Sequence, residues 1–140
     1  MSRIMAIDYG TRRVGIAVTD PLQIIASPIK AIAPKDLLGF VKEYTASESV
    51  EQIVLGYPLK EDGTPTDLTE AVDNLLDKLI IQFPAIRFCK HHERYTSKIA
   101  QRSMIQSGAR KKSRRTKSNL DQISATLILQ SFLEEKKFAQ

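Results

Sequence analysis

The sequence predicts an α/β domain in which a mixed five-stranded sheet carries helices on its faces, in three layers. Three short apolar runs near the N-terminus are separated only by turn residues, which is typical of antiparallel neighbours. Two later apolar runs each follow an amphipathic helical segment, which is typical of parallel neighbours, so the sheet is expected to be mixed. A chain of 140 residues suits one compact domain, and we expect residues 1–140 to form it.

The first three strands are predicted from apolar runs bounded by turn residues. Residues 4–7 and 14–19 are the apolar arms of an expected hairpin, and the turn between them contains Gly10, which tolerates unusual backbone angles. Residues 24–32 form a plausible third strand. A Ser-Pro pair interrupts this strand, so we expect it at an edge of the sheet, where proline is tolerated.

The rest of the chain alternates between helical and strand patterns. The expected elements are a helix over 37–44 after Pro34, a strand over 52–55, a helix over 68–79, a strand over 86–89, a helix from Thr96 or Ser97 towards Ser107, and a last helix over 120–136. Gly108 is expected to end the third helix, and Ser118 to cap the last one.

Composition excludes several classes of protein. The 42% hydrophobic and 26% charged fractions are ordinary for a globular domain and argue against disorder of the whole chain. No run approaches the ~20 apolar residues of a membrane helix, and Asp8 interrupts the N-terminus before a signal-like apolar core forms. Cys89 is the only cysteine, which excludes an intrachain disulfide and a cysteine-based zinc site. We therefore expect a soluble cytoplasmic protein without a membrane partner.

One segment of the chain is strongly basic. The net charge is +5, and nine of the 21 Lys and Arg residues lie between Arg94 and Leu120, where no Asp or Glu occurs. The remainder carries 12 basic and 16 acidic residues, so the positive charge is concentrated. A solvated basic loop has the same composition, but six cations between Arg110 and Lys117 favour phosphate binding, because they gain by releasing counterions.

Three carboxylates stand at the ends of predicted elements: Asp8 after the first strand, Glu93 after the fifth, and Asp121 in the first turn of the last helix. A charge at the end of an apolar strand is costly unless it is paired, hydrogen-bonded or bound to a metal. Carboxylate oxygens are the ligands that Mg²⁺ prefers, and two such ions can promote hydrolysis of a phosphodiester. The three carboxylates together predict a divalent-metal site beside the basic segment.

Each of these carboxylates also has a purely structural explanation. Asp8 can stabilise the turn at Gly10, Glu93 can pair with its neighbour or begin a helix, and Asp121 can complete a capping box with Ser118. Two histidines precede Glu93. Because adjacent residues of a strand point to opposite faces, at most one of His91 and His92 is expected at the site, and a surface position is the commoner outcome. Cys89 is expected in the core.

Four segments resemble the YqgF family, also called RuvX or Holliday-junction-resolvase-like proteins. They are residues 7–17 (IDYGTRRVGIA), 56–59 (GYPL), 93–97 (ERYTS) and 117–129, in which Lys117, Asp121, Ser124, Ala125 and Leu129 match. The resemblance implies an RNase H-like fold and a nuclease site in which Asp8, Glu93 and Asp121 hold Mg²⁺ or Mn²⁺. One position departs from the family pattern, because His92 replaces the aspartate of an Asp-Glu-Arg motif.

The resemblance implies maturation of the 5′ end of 16S ribosomal RNA, and it leaves alternatives open. The same site could cleave four-way DNA junctions, or the chain could bind RNA during ribosome assembly without cleaving it. An actin-like ATPase is disfavoured because the chain is too short for two such domains. We expect a monomer or weak homodimer. The residues expected to contact nucleic acid are Arg12, Arg94, Arg110, Lys111, Lys112, Arg114, Arg115 and Lys117.

Overall fold

A computed structural model describes residues 2–58, 63–92 and 117–138 of the chain. Its elements, in order, are β1 (Arg3–Tyr9), β2 (Val14–Thr19), β3 (Ala26–Ile32), a 3₁₀ turn (Pro34–Asp36), α1 (Leu37–Ser47), β4 (Val50–Tyr57), α2 (Asp67–Gln82), β5 (Arg87–His92) and α3 (Lys117–Phe138). The predicted helix at 96–107 and the basic segment at 110–116 lie outside the described residues.

The five strands form one mixed sheet, as the sequence predicts. Their order is β3-β2-β1-β4-β5. The β1–β2 and β2–β3 pairs are antiparallel, whereas β1–β4 and β4–β5 are parallel. The expectation that the third strand is an edge is confirmed. The carboxyl ends of β1, β4 and β5 consequently meet at one edge of the sheet, which we call the carboxyl edge.

Alternate residues of β1 supply the two halves of the core. Met5 and Ile7 are fully buried in the cluster that contains residues of α1 and α2. Ile4 and Ala6 are fully buried on the opposite face, where Ala125 and other residues of α3 cover them. Because the period of a strand is two residues, the apolar run of residues 4–7 supplies side chains to both cores. The domain is therefore three-layered, with α1 and α2 on one face and α3 on the other.

The third strand begins at Ala26, so the predicted start at Ile24 is wrong. The carboxylate of Asp20 accepts hydrogen bonds from the backbone amides of Ile24 and Ile25, at 2.8 and 2.7 Å. It accepts a third from the amide of Leu22. These bonds curl residues 20–25 into a turn and leave the two isoleucines largely exposed, although their side chains alone suggest a strand. The bond from Ile25 is the leading cause that lowers the pKa of Asp20.

Two other strands are longer than predicted. The fourth extends over Val50–Tyr57, and the fifth extends from Arg87 to His92, because Gly56 and Tyr57 of β4 remain paired with His91 and His92. The two histidines therefore lie within β5 and do not follow it. Glu93 is the next residue after the strand.

The connection from β4 to α2 is fixed by hydroxyl groups. Thr66 caps α2 by accepting a hydrogen bond from the amide of Leu68, and Thr69 accepts one from the amide of Thr66. The Thr69 hydroxyl donates in turn to the carbonyl of Pro58, just after β4. This reciprocal cap satisfies amides that helix termini otherwise leave unpaired. It also ties the start of α2 to the carboxyl edge.

Candidate active site

Asp8 lies near the carboxyl end of β1, the central strand. Its neighbour Ile7 is level with Leu55 of β4, which in turn pairs with Lys90 of β5. Asp8 itself pairs with Gly15 of β2. The side chain is partly buried, and it shares the parity of Ile4 and Ala6, whose side chains face α3. Asp8 therefore sits at the carboxyl edge, on the face that α3 covers.

The turn after β1 is unusually tight. The amide of Gly10 donates to the carbonyl of Arg13 at 2.9 Å, and a β-carbon on Gly10 would lie 2.7 Å from that same oxygen. Only glycine fits without a shift of backbone. Thr11, Arg12 and Arg13 are all exposed on this turn. Arg12, a predicted nucleic-acid contact, is thus held at the carboxyl edge within a few residues of Asp8.

Helix α3 packs on β1, β2, β3 and β4. Lys136 donates to the side chain of Gln23 at 3.2 Å, and Gln23 donates to the carbonyl of Ser2 at 2.9 Å, so side-chain contacts link the end of α3 to the start of β1. Ser131 and Glu135 of the same helix contact His91 near the end of β5, so α3 crosses the strands obliquely. The helix that bears Asp121 therefore covers the face of the sheet on which Asp8 lies.

The start of α3 differs from the prediction. The helix begins at Lys117, so Ser118 is already inside it and cannot be its N-cap residue. The predicted capping box between Ser118 and Asp121 is wrong, and Asp121 lies beyond the first turn of the helix. This outcome removes the main structural explanation for Asp121. The backbone of α3 includes Asp121 and Lys117, whereas Glu93, Arg94, Arg110, Lys111, Lys112, Arg114 and Arg115 lie outside the described residues.

His91 is buried, which corrects the expectation of a surface histidine. Its side chain is only 5% exposed. Nε2 lies 2.8 Å from the hydroxyl of Ser131, and Nδ1 lies 3.5 Å from a carboxylate oxygen of Glu135, both on α3. The strand alternation that places Cys89 near the core places His91 on the same face. A sequence prediction that extended the fifth strand to His92 would have placed His91 on the same face as Cys89. Cys89 itself is half-buried against the α3 side of the core, as expected, and burial raises the pKa of its thiol.

A second polar cluster lies on the opposite face of the same strands. Lys90 pairs with Asp73 of α2 at 2.9 Å, and its ammonium lies 4.4 Å from the ring centre of Tyr57. The Tyr57 hydroxyl donates to the other carboxylate oxygen of Asp73 at 3.1 Å. Sequence analysis missed this cluster, because its three members are distant in the chain. Its only signal was Tyr57, within the Gly-Tyr-Pro-Leu segment.

The ion pair between Lys90 and Asp73 makes the stability of the protein depend on pH. The hydrogen bond from Lys90 is the leading cause that lowers the pKa of Asp73 from its ordinary value of 3.8, and the same bond raises the pKa of Lys90. Because the folded pKa of Asp73 is lowered, its stabilising contribution is present above pH 3.8 and is lost as pH falls through the folded value. Carboxyl NMR titration will give Asp73 a pKa below 3.8.

The matched variant for this titration is Lys90→Met, which removes the ammonium and keeps a long side chain. We expect it to raise the pKa of Asp73 towards the ordinary value, with Tyr57 preserving part of the shift. An unchanged Asp73 titration in this variant would show that the ion pair does not form in solution.

Among the side chains that the structure describes, no group of three or more His, Cys, Asp or Glu is close enough to hold a metal ion. The predicted trio is not tested by this finding, since neither Glu93 nor the side chain of Asp121 is among them. Among the described helices, none combines the length and the apolar character needed to cross a bilayer.

The fold is RNase H-like. The structure is similar to that of T. thermophilus RuvC, solved in complex with a Holliday junction substrate, with a TM-score of 0.56 and 15% sequence identity over 97% of this chain and 96% of that one. Residues 2–135 match the family described as "RuvX: Holliday junction resolvase". The chain belongs to the RuvX family.

Curated relatives cover the whole length of the chain. A protein of Amoebophilus asiaticus is 50% identical over 98% of this chain and 97% of its own length. A protein of Christiangramia forsetii is 42% identical over 96% of this chain and 100% of its own. One of Bacteroides thetaiotaomicron is 41% identical over 99% and 100%. All three carry the name "Putative pre-16S rRNA nuclease".

Proposed function

We propose that this chain is a nuclease that hydrolyses phosphodiester bonds in the precursor of 16S ribosomal RNA, and that residues 1–140 form its single nuclease domain. Membership of the RuvX family supports nuclease activity. The name shared by relatives at 41–50% identity supports the ribosomal precursor as substrate. A ribosomal substrate in turn supports a cytoplasmic location.

The position of Asp8 is the observation that carries this proposal. A partly buried carboxylate follows the apolar run of residues 4–7 near the end of the central strand, and it lies on the face covered by the helix that bears Asp121. Glu93 follows the last residue of β5 at the same edge of the sheet. An acidic side chain in such a place is costly unless a partner stabilises its charge. We infer that Asp8, Glu93 and Asp121, from three separate parts of the chain, meet at this edge.

The donor chemistry fits a divalent metal. Asp8, Glu93 and Asp121 supply only carboxylate oxygens, the hard ligands suited to Mg²⁺ or Mn²⁺. These three residues would hold one or two such ions. When bound, the metal supplies an activated water and offsets the charge that develops on the phosphate.

The cationic residues bind and orient the substrate. Arg12 is exposed on the tight turn beside Asp8 and would contact a phosphate there. Arg94, next to Glu93, would stabilise negative charge near the bond that breaks. Contacts to phosphates set the position of the nucleic acid without reading its sequence. The cations that would hold the rest of the backbone are Arg110, Lys111, Lys112, Arg114, Arg115 and Lys117.

A second candidate function is cleavage of branched DNA. The structural similarity to RuvC in complex with a Holliday junction favours it. That similarity, at 15% identity, concerns the fold, whereas the curated names concern RNA. Resolving a junction also needs two symmetric cuts, and hence a dimer, whereas a monomer or weak homodimer suffices for a single cut in RNA.

A competition assay tests the two functions in one tube. The purified chain, with Mg²⁺ or Mn²⁺, receives equal amounts of a pre-16S RNA fragment and a four-way DNA junction with distinguishable labels. We expect the RNA to be cut at one place near the mature 5′ end, the junction to survive, and EDTA to stop the reaction. Paired symmetric nicks in the junction would instead identify a resolvase. Binding of RNA without cleavage would identify an assembly factor.

A further inference from the structure

The end of β5 is held from both faces of the sheet. Within the part of the chain that the structure describes, it pairs with β4 alone, so one side of its backbone has no neighbouring strand there. Its consecutive residues Lys90 and His91 point to opposite faces, and each contacts the helix on its own face. Such a strand end would otherwise be among the first parts of a sheet to open.

On the face covered by α3, the contact is a buried polar one. His91 and Ser131 are 5% and 8% exposed, and their polar atoms lie 2.8 Å apart. Glu135, one turn further along α3, lies 3.5 Å from the other ring nitrogen. An apolar residue would fill this buried position more simply, because burying polar groups is favourable only with well-placed partners. What the polar pair adds is a fixed direction and distance between strand and helix.

On the face covered by α2, Lys90 links β5 to the helix in the same way. Its ammonium pairs with Asp73 and lies over the ring of Tyr57. The pair is partly exposed, with side chains 41% and 42% accessible, so its individual contribution to stability is small. Its location is what matters, since it joins β5 to both α2 and the end of β4.

We propose that His91, with Ser131, and Lys90, with Asp73, are positioning residues that fix the backbone from which Glu93 continues. This inference rests on the proposed function, in which Glu93 is a metal ligand. Ser131 belongs to the same rigid helix as Asp121, and β5 is joined through β4 to the strand that carries Asp8. The His91–Ser131 contact therefore sets the distance between the segments that carry all three carboxylates.

The inference predicts a loss of metal affinity out of proportion to the loss of stability. Partners that orient the ligands of a metal are typically worth about 10–100-fold in affinity. We expect Ser131→Ala to weaken binding of Mn²⁺, measured by calorimetry without substrate, by about tenfold. Ser131→Thr, which keeps the hydroxyl, should bind almost as the parent does.

The matched control is Ile128→Val. Ile128 is 1% exposed on the same helix and packs in the core cluster with Ile4 and Ala6, so the loss of one methylene costs stability and leaves the hydroxyl of Ser131 in place. We expect its Mn²⁺ affinity to equal that of the parent. Lys90→Met tests the opposite face with an exposed substitution that leaves the core untouched, and it should weaken Mn²⁺ binding several-fold.

Hydrogen exchange supplies a readout that needs no metal, at whichever backbone amide of His91 and His92 points towards β4. We expect faster exchange at this amide in Ser131→Ala, and unchanged exchange in Ile128→Val. Mn²⁺ affinity retained in both Ser131→Ala and Lys90→Met would overturn the inference while the proposed function stands. A parent protein that binds no Mn²⁺ in a manner dependent on Asp8 would overturn the proposed function, and this inference with it.

Discussion

Asp8→Asn will abolish RNA cleavage by this chain and leave its fold intact. The amide keeps the size of the carboxylate and removes its charge. A metal site that depends on that charge therefore binds the divalent ion much more weakly. We expect the rate to fall by at least about a thousandfold, equivalent to about 4 kcal/mol of transition-state stabilisation. Single-turnover cleavage of the RNA fragment measures the rate, and circular dichroism with thermal unfolding verifies the fold.

The control for this variant is Asp77→Asn. It makes the same chemical change at an exposed position of α2, on the face of the sheet opposite to α3. Its cleavage rate should match that of the parent. Equal cleavage by Asp8→Asn and the parent would mean that the activity comes from another site or from a contaminating enzyme. The stability of Asp8→Asn should be close to that of the parent, because asparagine has the size of aspartate and keeps one of its accepting oxygens.

Gly10→Ala will destabilise the protein by about 1–3 kcal/mol, the usual cost of forcing an extra carbon into a filled space. The new methyl group would lie 2.7 Å from the carbonyl oxygen of Arg13. That oxygen also accepts the hydrogen bond that closes the turn, so any shift that relieves the clash weakens the bond. Urea unfolding measures the loss, and the same variant should cleave RNA more slowly because the turn carries Arg12 beside Asp8.

Gly39→Ala is the matched substitution for comparison. Gly39 lies within α1, and a β-carbon there would meet no atom within 4 Å. Alanine favours the helix over glycine by up to about 1 kcal/mol, so this variant should be more stable than the parent. If both glycine variants changed stability in the same direction, the close contact at Gly10 would not exist in solution.

The mixed character of the sheet was predictable because it follows from the types of connection between strands. Three apolar runs joined by turns give antiparallel pairs, and strands joined through a helix give parallel ones. Residues 24 and 25 were misassigned to the third strand, since nothing in their apolar side chains shows that Asp20 binds their amides. The fifth strand was cut short for a related reason. Its last residues are polar, and they are held in the strand by partners far away in the chain.

The candidate site was predictable only in part. Asp8 stands out in the sequence because a charge ends an apolar run, and that signal is local. His91 carries no such signal, because its partner Ser131 is 40 residues away and serines are common on helices. Asp73, Lys90 and Tyr57 were invisible for the same reason. The sequence alone shows which charged or polar groups would be costly to bury. The partners that offset this cost are brought together only in the folded chain.

The edge strand β3 also determines how this sheet meets other molecules. Pro28 interrupts it and has no amide hydrogen to donate, and its pairing with β2 is irregular between Ile16 and Ala17. Lys30, exposed on the same strand, adds a charge that repels another copy of itself. These features are the usual protection against strand addition from a neighbouring chain. The sheet therefore stops at β3, and crowded copies of the protein are kept from joining into extended aggregates through this side.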